Sequence, residues 1–280
     1  MKTAEELKQI VKEKYSEIAL QSKEQNETSC CGATGCCATD ITIMAEDYTH
    51  LPGYELDADL GLGCGLPTAY AQLKEGDTVL DLGSGAGNDC FVARSVVGDS
   101  GKVIGVDMTE AMIDKAKVNA RKLGFANVEF RLGEIEDLPL AANRVDVVVS
   151  NCVLNLVPNK SQAFKETFRV LKPQGHFSIS DVVLAGALPA GLQKAAEMYA
   201  GCVSGAIQQE EYLTIIEQTG FINIRVQKKR LITLPDELLA NYLSVEELES
   251  YKASGTGIYS ITVYAEKPIS NCCAPNTGCC

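Results

Sequence analysis

The part of this chain best equipped for chemistry is a glycine-rich turn between two acids. An apolar, β-rich run from Thr78 to Leu82 carries Asp81 near its end and enters a turn holding Gly83, Ser84, Gly85 and Gly87. A helical segment leads to Val97, and a second strand, Lys102 to Val106, ends at Asp107. Strand, glycine turn, helix, strand and acid make a nucleotide-binding unit. The details select the nucleotide. A dinucleotide fingerprint needs G-x-G-x-x-G, whereas Asn88 stands where its last glycine would be. Asp81 would repel a pyrophosphate and suits an ammonium group. Glycines let the backbone approach a ligand closely, and Asp107 is spaced to accept hydrogen bonds from a ribose diol. An adenosine bearing a cationic amino-acid tail, S-adenosylmethionine, satisfies all three conditions. A dehydrogenase-type unit and a chance glycine turn are the competing readings.

Cysteines are the second chemical signal. Of twelve, eight form vicinal pairs, Cys30-Cys31, Cys36-Cys37, Cys272-Cys273 and Cys279-Cys280, while Cys64, Cys90, Cys152 and Cys202 stand alone. Neither of the two histidines, His50 and His176, has a partner at metal-ligand spacing, and no C-x-x-C occurs, which argues against a structural zinc site. Paired thiols suit a soft, thiophilic centre. Cys152 lies in SNCVLNL after a predicted strand. Topology makes it a candidate substrate contact, with burial as a small hydrophobe the ordinary alternative. Cys64 sits in the turn GLGCGLP and Cys202 in GCVSGAI. Cys90, in the helix after the glycine turn, reads as core.

The elements that must position these residues follow from periodicity. The start, MKTAEELKQIVKEKY, predicts an amphipathic helix with Leu7, Ile10, Val11 and Tyr15 on one face. Residues 23 to 40 read as a mobile loop, and Pro67 opens a helix expected to reach Leu73. Met112 to Leu123 predicts a helix stopped by Gly124. Strands are expected at Val128 to Leu132, over VDVVVSN, and from Gly175 to Leu184, with a helix from Ser161 to Leu171. Strands alternating with helices predict an α/β fold with a doubly wound, mostly parallel sheet. A smaller α+β region follows, with helices over 188–201, 210–219 and 236–252 and strands over 222–230 and 259–267. The expected divisions are 1–50, a helix and cysteine-rich segment; 51–185, the cofactor-binding core; 186–268, substrate-side helices and closing strands; and 269–280, a cysteine-rich tail. Ligands of such sheets bind beyond the carboxyl ends of the strands. Met108 beside Asp107, Glu134 and Ile135 in GEIEDLP, and Asn151 before Cys152 complete the candidate cofactor contacts.

Composition bounds the function. At 280 residues, 46% hydrophobic, the chain can bury a large core. A net charge of −12 with no basic run argues against nucleic acid. No apolar run approaches a membrane span, and the charged start lacks a signal peptide's apolar core. A cytoplasmic protein is expected.

The segments DLGSGAGNDC, VDMTEAM, GEIEDLPL, VVSNCVLNLVP and RVLKPQGHFSISDVV, with LGCG around Cys64 and GCVSGA around Cys202, together resemble the arsenite S-adenosylmethionine methyltransferases. The resemblance spans roughly Cys30 to Phe221. It implies a Rossmann-like class I methyltransferase that transfers methyl groups to arsenite and methylated trivalent arsenicals for detoxification. It also implies that Cys64, Cys152 and Cys202 bind the arsenic. An N-terminal cysteine takes part in the family. Here the N-terminal CC-x4-CC cluster offers four candidates, Cys30, Cys31, Cys36 and Cys37, with Cys36 and Cys37 expected beside the three ligands. A thioredoxin- or glutathione-type thiol reductant is the implied co-substrate. Two alternatives stay open: a quinone or other small-molecule carbon or oxygen methyltransferase of the same fold, and a thiol-based metalloid-binding protein.

Overall fold

The computed structural model describes residues 3–21, 46–189, 205–233, 239–240 and 243–269. Helix α1, Ala4–Ala19, starts from a capping box in which Thr3 and Glu6 satisfy each other's backbone N–H groups. Helix α2 is Pro67–Tyr70. Strand β1 (Thr78–Leu82), helix α3 (Asn88–Val97), strand β2 (Lys102–Asp107), helix α4 (Glu110–Leu123) and strand β3 (Val128–Leu132) form the first half. Strand β4 (Val145–Asn151), helix α5 (Lys160–Val170) and strand β5 (Leu171–Ala185) follow. Helix α6 (Gln209–Thr219), strand β6 (Ile222–Leu231), helix α7 (Val245–Ala253) and strand β7 (Gly257–Glu266) complete the described elements, with a 3-10 turn, Leu154–Leu156, after β4.

The strands join one seven-stranded sheet in the order β3-β2-β1-β4-β5-β7-β6. The five strands from β3 to β5 pair in parallel, and β7 runs antiparallel to both β5 and β6. The closing strands of the smaller C-terminal region, β7 and β6, continue the same sheet as its antiparallel end. From β1 the chain winds outward to β3 and then crosses to β4 on the other side of β1. That reversal opens a crevice at the carboxyl ends of β1 and β4. Strand β4 is buried on both faces, as its Val145, Val147, Val148 and Val149 require. On one face Phe164, Phe177, Tyr212 and Phe221 pack beneath α5 and α6. On the other, Phe91, Met112, Ile113 and Val149 pack beneath α3 and α4. Edge-to-face rings tie α5 to α6, Phe164 on Tyr212 at 5.5 Å, and the turn after α6 to β5, Phe221 on Phe177 at 4.8 Å.

Three local expectations are corrected. The helix opened by Pro67 is a single turn, and Gln72 leaves it at φ 51°. The Ala71 carbonyl, which would accept a further helical bond, accepts instead from His176 Nε2 at 2.6 Å. Strand β5 begins at Leu171, four residues before the expected Gly175. Pro173 is tolerated because the ladder to β4 lapses between Leu171 and His176. The single helix expected over 236–252 does not occur as such. Helix α7 begins at Val245 because Ser244 and Glu247 form a capping box there. Residues 234–238 and 241–242 lie outside the described set, as does nearly all of the helix expected over 188–201.

Candidate functional site

The crevice between β1 and β4 is a cleft of about 1100 Å³, counted with its open mouth. Every candidate cofactor residue read from the sequence lines it: Asp81, Gly83, Ser84, Gly85, Asp107, Met108, Glu134, Ile135 and Asn151. The glycine turn is shaped by sterics. Gly83 takes φ 68°, and a Cβ there would lie 2.4 Å from the Val153 side chain. Gly85 takes φ 50° with open space where its Cβ would be, so a ligand can rest on bare backbone. Asp107 holds the turn: its Oδ2 accepts from Gly85 N at 3.0 Å and its Oδ1 from Thr109 N at 2.9 Å. Burial raises the Asp107 pKa, and those two backbone donors oppose the rise.

Asp81 is buried at the floor of the cleft. Desolvation, with repulsion from Asp89, pushes its pKa well above the usual carboxylate range, and the Cys90 thiol, donating at 3.3 Å, pulls it back. Cys90 is core, as expected, yet it also supports the acid of the site. Asp89 follows the turn on α3. Burial raises its pKa to about 6 against hydrogen bonds from Tyr48, Asn151 and Thr68. A cation entering the cleft relieves this strain. The buried Ser84 Oγ and Asn88 Oδ1, each without a hydrogen-bond partner among the described residues, offer polar contacts to a ligand. Bare glycine backbone, a diol acceptor at Asp107 and an acid pair, Asp81 and Asp89, with no basic ion-pair partner among the described residues fit S-adenosylmethionine.

Helix α1 crosses the mouth of the cleft. Lys8 Nζ stands 2.6 Å from both Glu134 Oε2 and Glu136 Oε2, and Val11 and Tyr15 line the wall. The amphipathic face of α1 serves the site through Lys8, Val11 and Tyr15 and packs its last turn, Ile18 and Ala19, against the core, while Leu7 and Ile10 remain exposed. Sequence reasoning missed Lys8, Tyr48 and Asp89. Asp89 stood in the quoted GNDC; the other two carry no local signal.

Two of the candidate thiols, Cys64 and Cys152, are buried at and beside the cleft. Cys152 directly follows β4 at φ 62°, an unusual conformation for a residue with a side chain, held by its N–H donating to Ser180 O at 2.8 Å. It lines the cleft. Cys64 and Cys152 belong to one buried apolar cluster with Val182, Ile232, Leu239 and Ile258. Two residues 88 positions apart, read separately from the sequence, are thereby brought together (152 − 64). Tyr212 lies near both thiols, and its hydroxyl donates to the buried Asp181 at 3.3 Å. Burial pushes the Asp181 carboxyl up to about 7, a rise the nearby Lys160 charge opposes. Cys202 and the N-terminal Cys36 and Cys37 lie outside the described residues. Among the described residues no group of three or more histidine, cysteine or acidic side chains forms a metal site.

Asp107→Ala should weaken S-adenosylmethionine binding by about 1 to 3 kcal/mol through lost hydrogen bonds to the ribose, measured by calorimetric titration. Unchanged affinity removes Asp107 from the site.

A family model described as a methyltransferase domain matches residues 73–220. The chain is 40% identical over 280 aligned residues to the arsenite methyltransferase of Halobacterium salinarum, covering 94% of this chain and 67% of that one. It is 35% identical to the arsenite methyltransferase of Aquipseudomonas alcaligenes over 82% of this chain and 66% of the relative. The solved structure of an arsenic (III) S-adenosylmethionine methyltransferase from Chlamydomonas reinhardtii superposes with a TM-score of 0.60 at 33% identity, covering 75% of this chain and 68% of the other. The chain spans between about half and two thirds of the length of the curated relatives it matches first. Fold, cleft and sequence converge: the chain belongs to the arsenite methyltransferase family and has the class I methyltransferase fold.

Proposed function

We propose that this protein transfers methyl groups from S-adenosylmethionine to trivalent arsenic held by Cys64, Cys152 and Cys202. The observation that carries the reading is the burial of Cys64 and Cys152 in one cluster, with Cys152 also lining the cofactor cleft. S-adenosylmethionine, when bound, supplies an electrophilic methyl. Asp81 and Asp107, which line the cleft, would hold its ammonium and ribose. Arsenite exchanges each hydroxide for a thiolate, releasing water, and settles into a pyramid of sulfurs with its lone pair free. Alignment of that lone pair with the methyl at about 3 to 3.5 Å suffices for displacement. No general base is required, because the nucleophile carries no proton. The protein's contribution is orientation and exclusion of water.

Methyl transfer converts trivalent arsenic to the pentavalent state, so two electrons must return before another round. Two thiols supply them by closing to a disulfide, which a thioredoxin- or glutathione-type reductant reopens by exchange. Peptide mapping after one turnover without reductant should find a bridge between Cys64 and a cysteine within residues 30 to 37. Methylarsenic formed with every cysteine still reduced refutes this relay.

Mass spectrometry of the protein with cofactor and arsenite tests the whole reading. Methylated arsenic supports it. Bound but unmethylated arsenic makes the chain a metalloid binder, and methylation of a quinone without arsenic chemistry makes it a small-molecule methyltransferase.

A further inference from the structure

Asn151 directly precedes Cys152, yet its side chain reaches into the turn that carries Cys64. Its Oδ1 accepts from Cys64 N at 2.9 Å and from Gly65 N at 3.3 Å, and its Nδ2 donates to Gly65 O at 2.8 Å. Two backbone N–H groups on one side and a carbonyl on the other fix the orientation of the amide, since flipping it would set donor against donor. Nδ2 also donates to the Tyr48 hydroxyl at 2.6 Å, and that hydroxyl donates to Asp89 at 2.9 Å. From β7, Ser260 Oγ donates to Cys64 O at 2.5 Å. All four polar main-chain groups of Cys64 and Gly65 are thus engaged, three of them by one side chain.

Sterics demand the same arrangement. A Cβ on Gly63 would lie 2.6 Å from Asn151 Nδ2, and one on Gly65 would lie 2.5 Å from Ser180 Oγ. Gly63 therefore lets the turn seat directly on the Asn151 amide, and Gly65 lets it close on Ser180. Cys152, one residue on, is itself held at φ 62° with its N–H on Ser180 O. The backbone of one thiol is bonded to the residue beside the other. Little of the distance between the two cysteines is left to chance.

We propose that Asn151 is a positioning residue that sets the spacing of the Cys64 and Cys152 thiols, so that one trivalent arsenic engages both. The inference rests on the arsenic-methylating reading and assigns Asn151 to the substrate side of the site, although it lines the cofactor cleft. Losing the amide frees the Cys64 turn while leaving Cys152 held to Ser180 O just past its strand. Arsenite, which needs a third sulfur, suffers. Methylarsenite, which has only two exchangeable positions, suffers less.

The test compares the parent chain with Asn151→Ala and Ser260→Ala. Phenylarsine oxide is the arsenic probe: it loses its oxygen as water to two thiols, and peptide mass spectrometry reads whether one arsenic bridges the Cys64 and Cys152 peptides. Asn151→Ala should cut that adduct about tenfold and lower turnover on arsenite about ten- to a hundredfold. Turnover on methylarsenite should fall several-fold less than turnover on arsenite, whatever the loss of the contacts to Tyr48 and Asp89 does to S-adenosylhomocysteine affinity. A merely structural defect would depress both substrates and the cofactor alike. An unchanged adduct and substrate ratio overturns the proposal. So does a loss of cofactor affinity with the ratio intact, which would make Asn151 a cofactor ligand. If Asn151→Ala fails to fold, Ser260→Ala decides: it removes a separate hold on the same turn and must shift adduct and ratio in the same direction. A parent that forms the adduct but methylates no arsenic sinks the arsenic-methylating reading alone, and the adduct comparison still decides the positioning. A parent that forms no such adduct overturns the positioning.

Discussion

Cys152→Ser should abolish methylation of both arsenite and methylarsenite, whereas Cys64→Ser should lose arsenite activity and keep much of its activity on methylarsenite. The expectation follows from valence. Arsenite has three exchangeable positions and uses three thiolates; once a methyl is attached, two positions remain. The two cysteines share a buried cluster, but Cys152 lines the cofactor cleft and Cys64 does not. Cys152 is therefore the thiol that presents arsenic to the methyl, needed in every round. Its strained φ of 62° points the same way, since unusual backbone conformations persist where the surroundings over-determine them. Cys202→Ser should behave like Cys152→Ser. A serine hydroxyl preserves volume but is a hard oxygen that competes poorly for arsenic. Each variant is compared on the two substrates with excess reductant. Equal loss of both activities in Cys64→Ser, or methylarsenite activity in Cys152→Ser, refutes the ligand assignment.

Asp81→Asn should move stability and binding in opposite directions. The Asp81 carboxyl is buried, faces Asp89, and has its pKa raised well above normal chiefly by desolvation. A carboxyl whose folded pKa exceeds its unfolded value favours the native state only while protonated. That stability is present at low pH and lost as pH rises from the unfolded value toward the folded one. Removing the charge should therefore raise the melting temperature of the cofactor-free protein at neutral pH. The same change takes away the partner of the cofactor's ammonium. Breaking a buried, hydrogen-bonded charge pair costs about 2 to 5 kcal/mol, or about thirty- to several-thousand-fold in affinity. In the parent, a cationic ligand pulls Asp81 and Asp89 toward ionisation. Binding should release protons and tighten as pH climbs through about 6, where Asp89 titrates. Calorimetry in buffers of different ionisation enthalpy measures the release. A variant that melts lower and binds equally well contradicts the role given to Asp81.

Substitutions at these two sites differ in how visible their partners are. Asp81, the glycine turn and Asp107 form one continuous strand–turn–helix–strand unit, so spacing alone revealed the cofactor chemistry. The alternating strands and helices were legible for the same reason: hydrophobic periodicity and glycine stops are local, and β1, β3 and β4 begin and end where the pattern placed them. Helix boundaries that depend on distant partners were not legible. The turn after Pro67 stops where His176 takes the Ala71 carbonyl, across 105 residues.

The amino-acid sequence by itself determined the parallel sheet, the ligand that the two acids and bare glycines suit, and the unusual supply of thiols. Its motifs also resembled the family to which the chain belongs. Only the tertiary structure decided how these parts act on one another. It joined Cys64 and Cys152 in one cluster, turned the Asn151 amide toward a turn 87 residues away, laid α1 over the cleft, and gave the buried Cys90 a hydrogen bond to Asp81. The physical reason is common to all four. A motif records which groups a segment carries. Which buried donor meets which acceptor depends on desolvation and packing, set only when the strands take their places in the sheet.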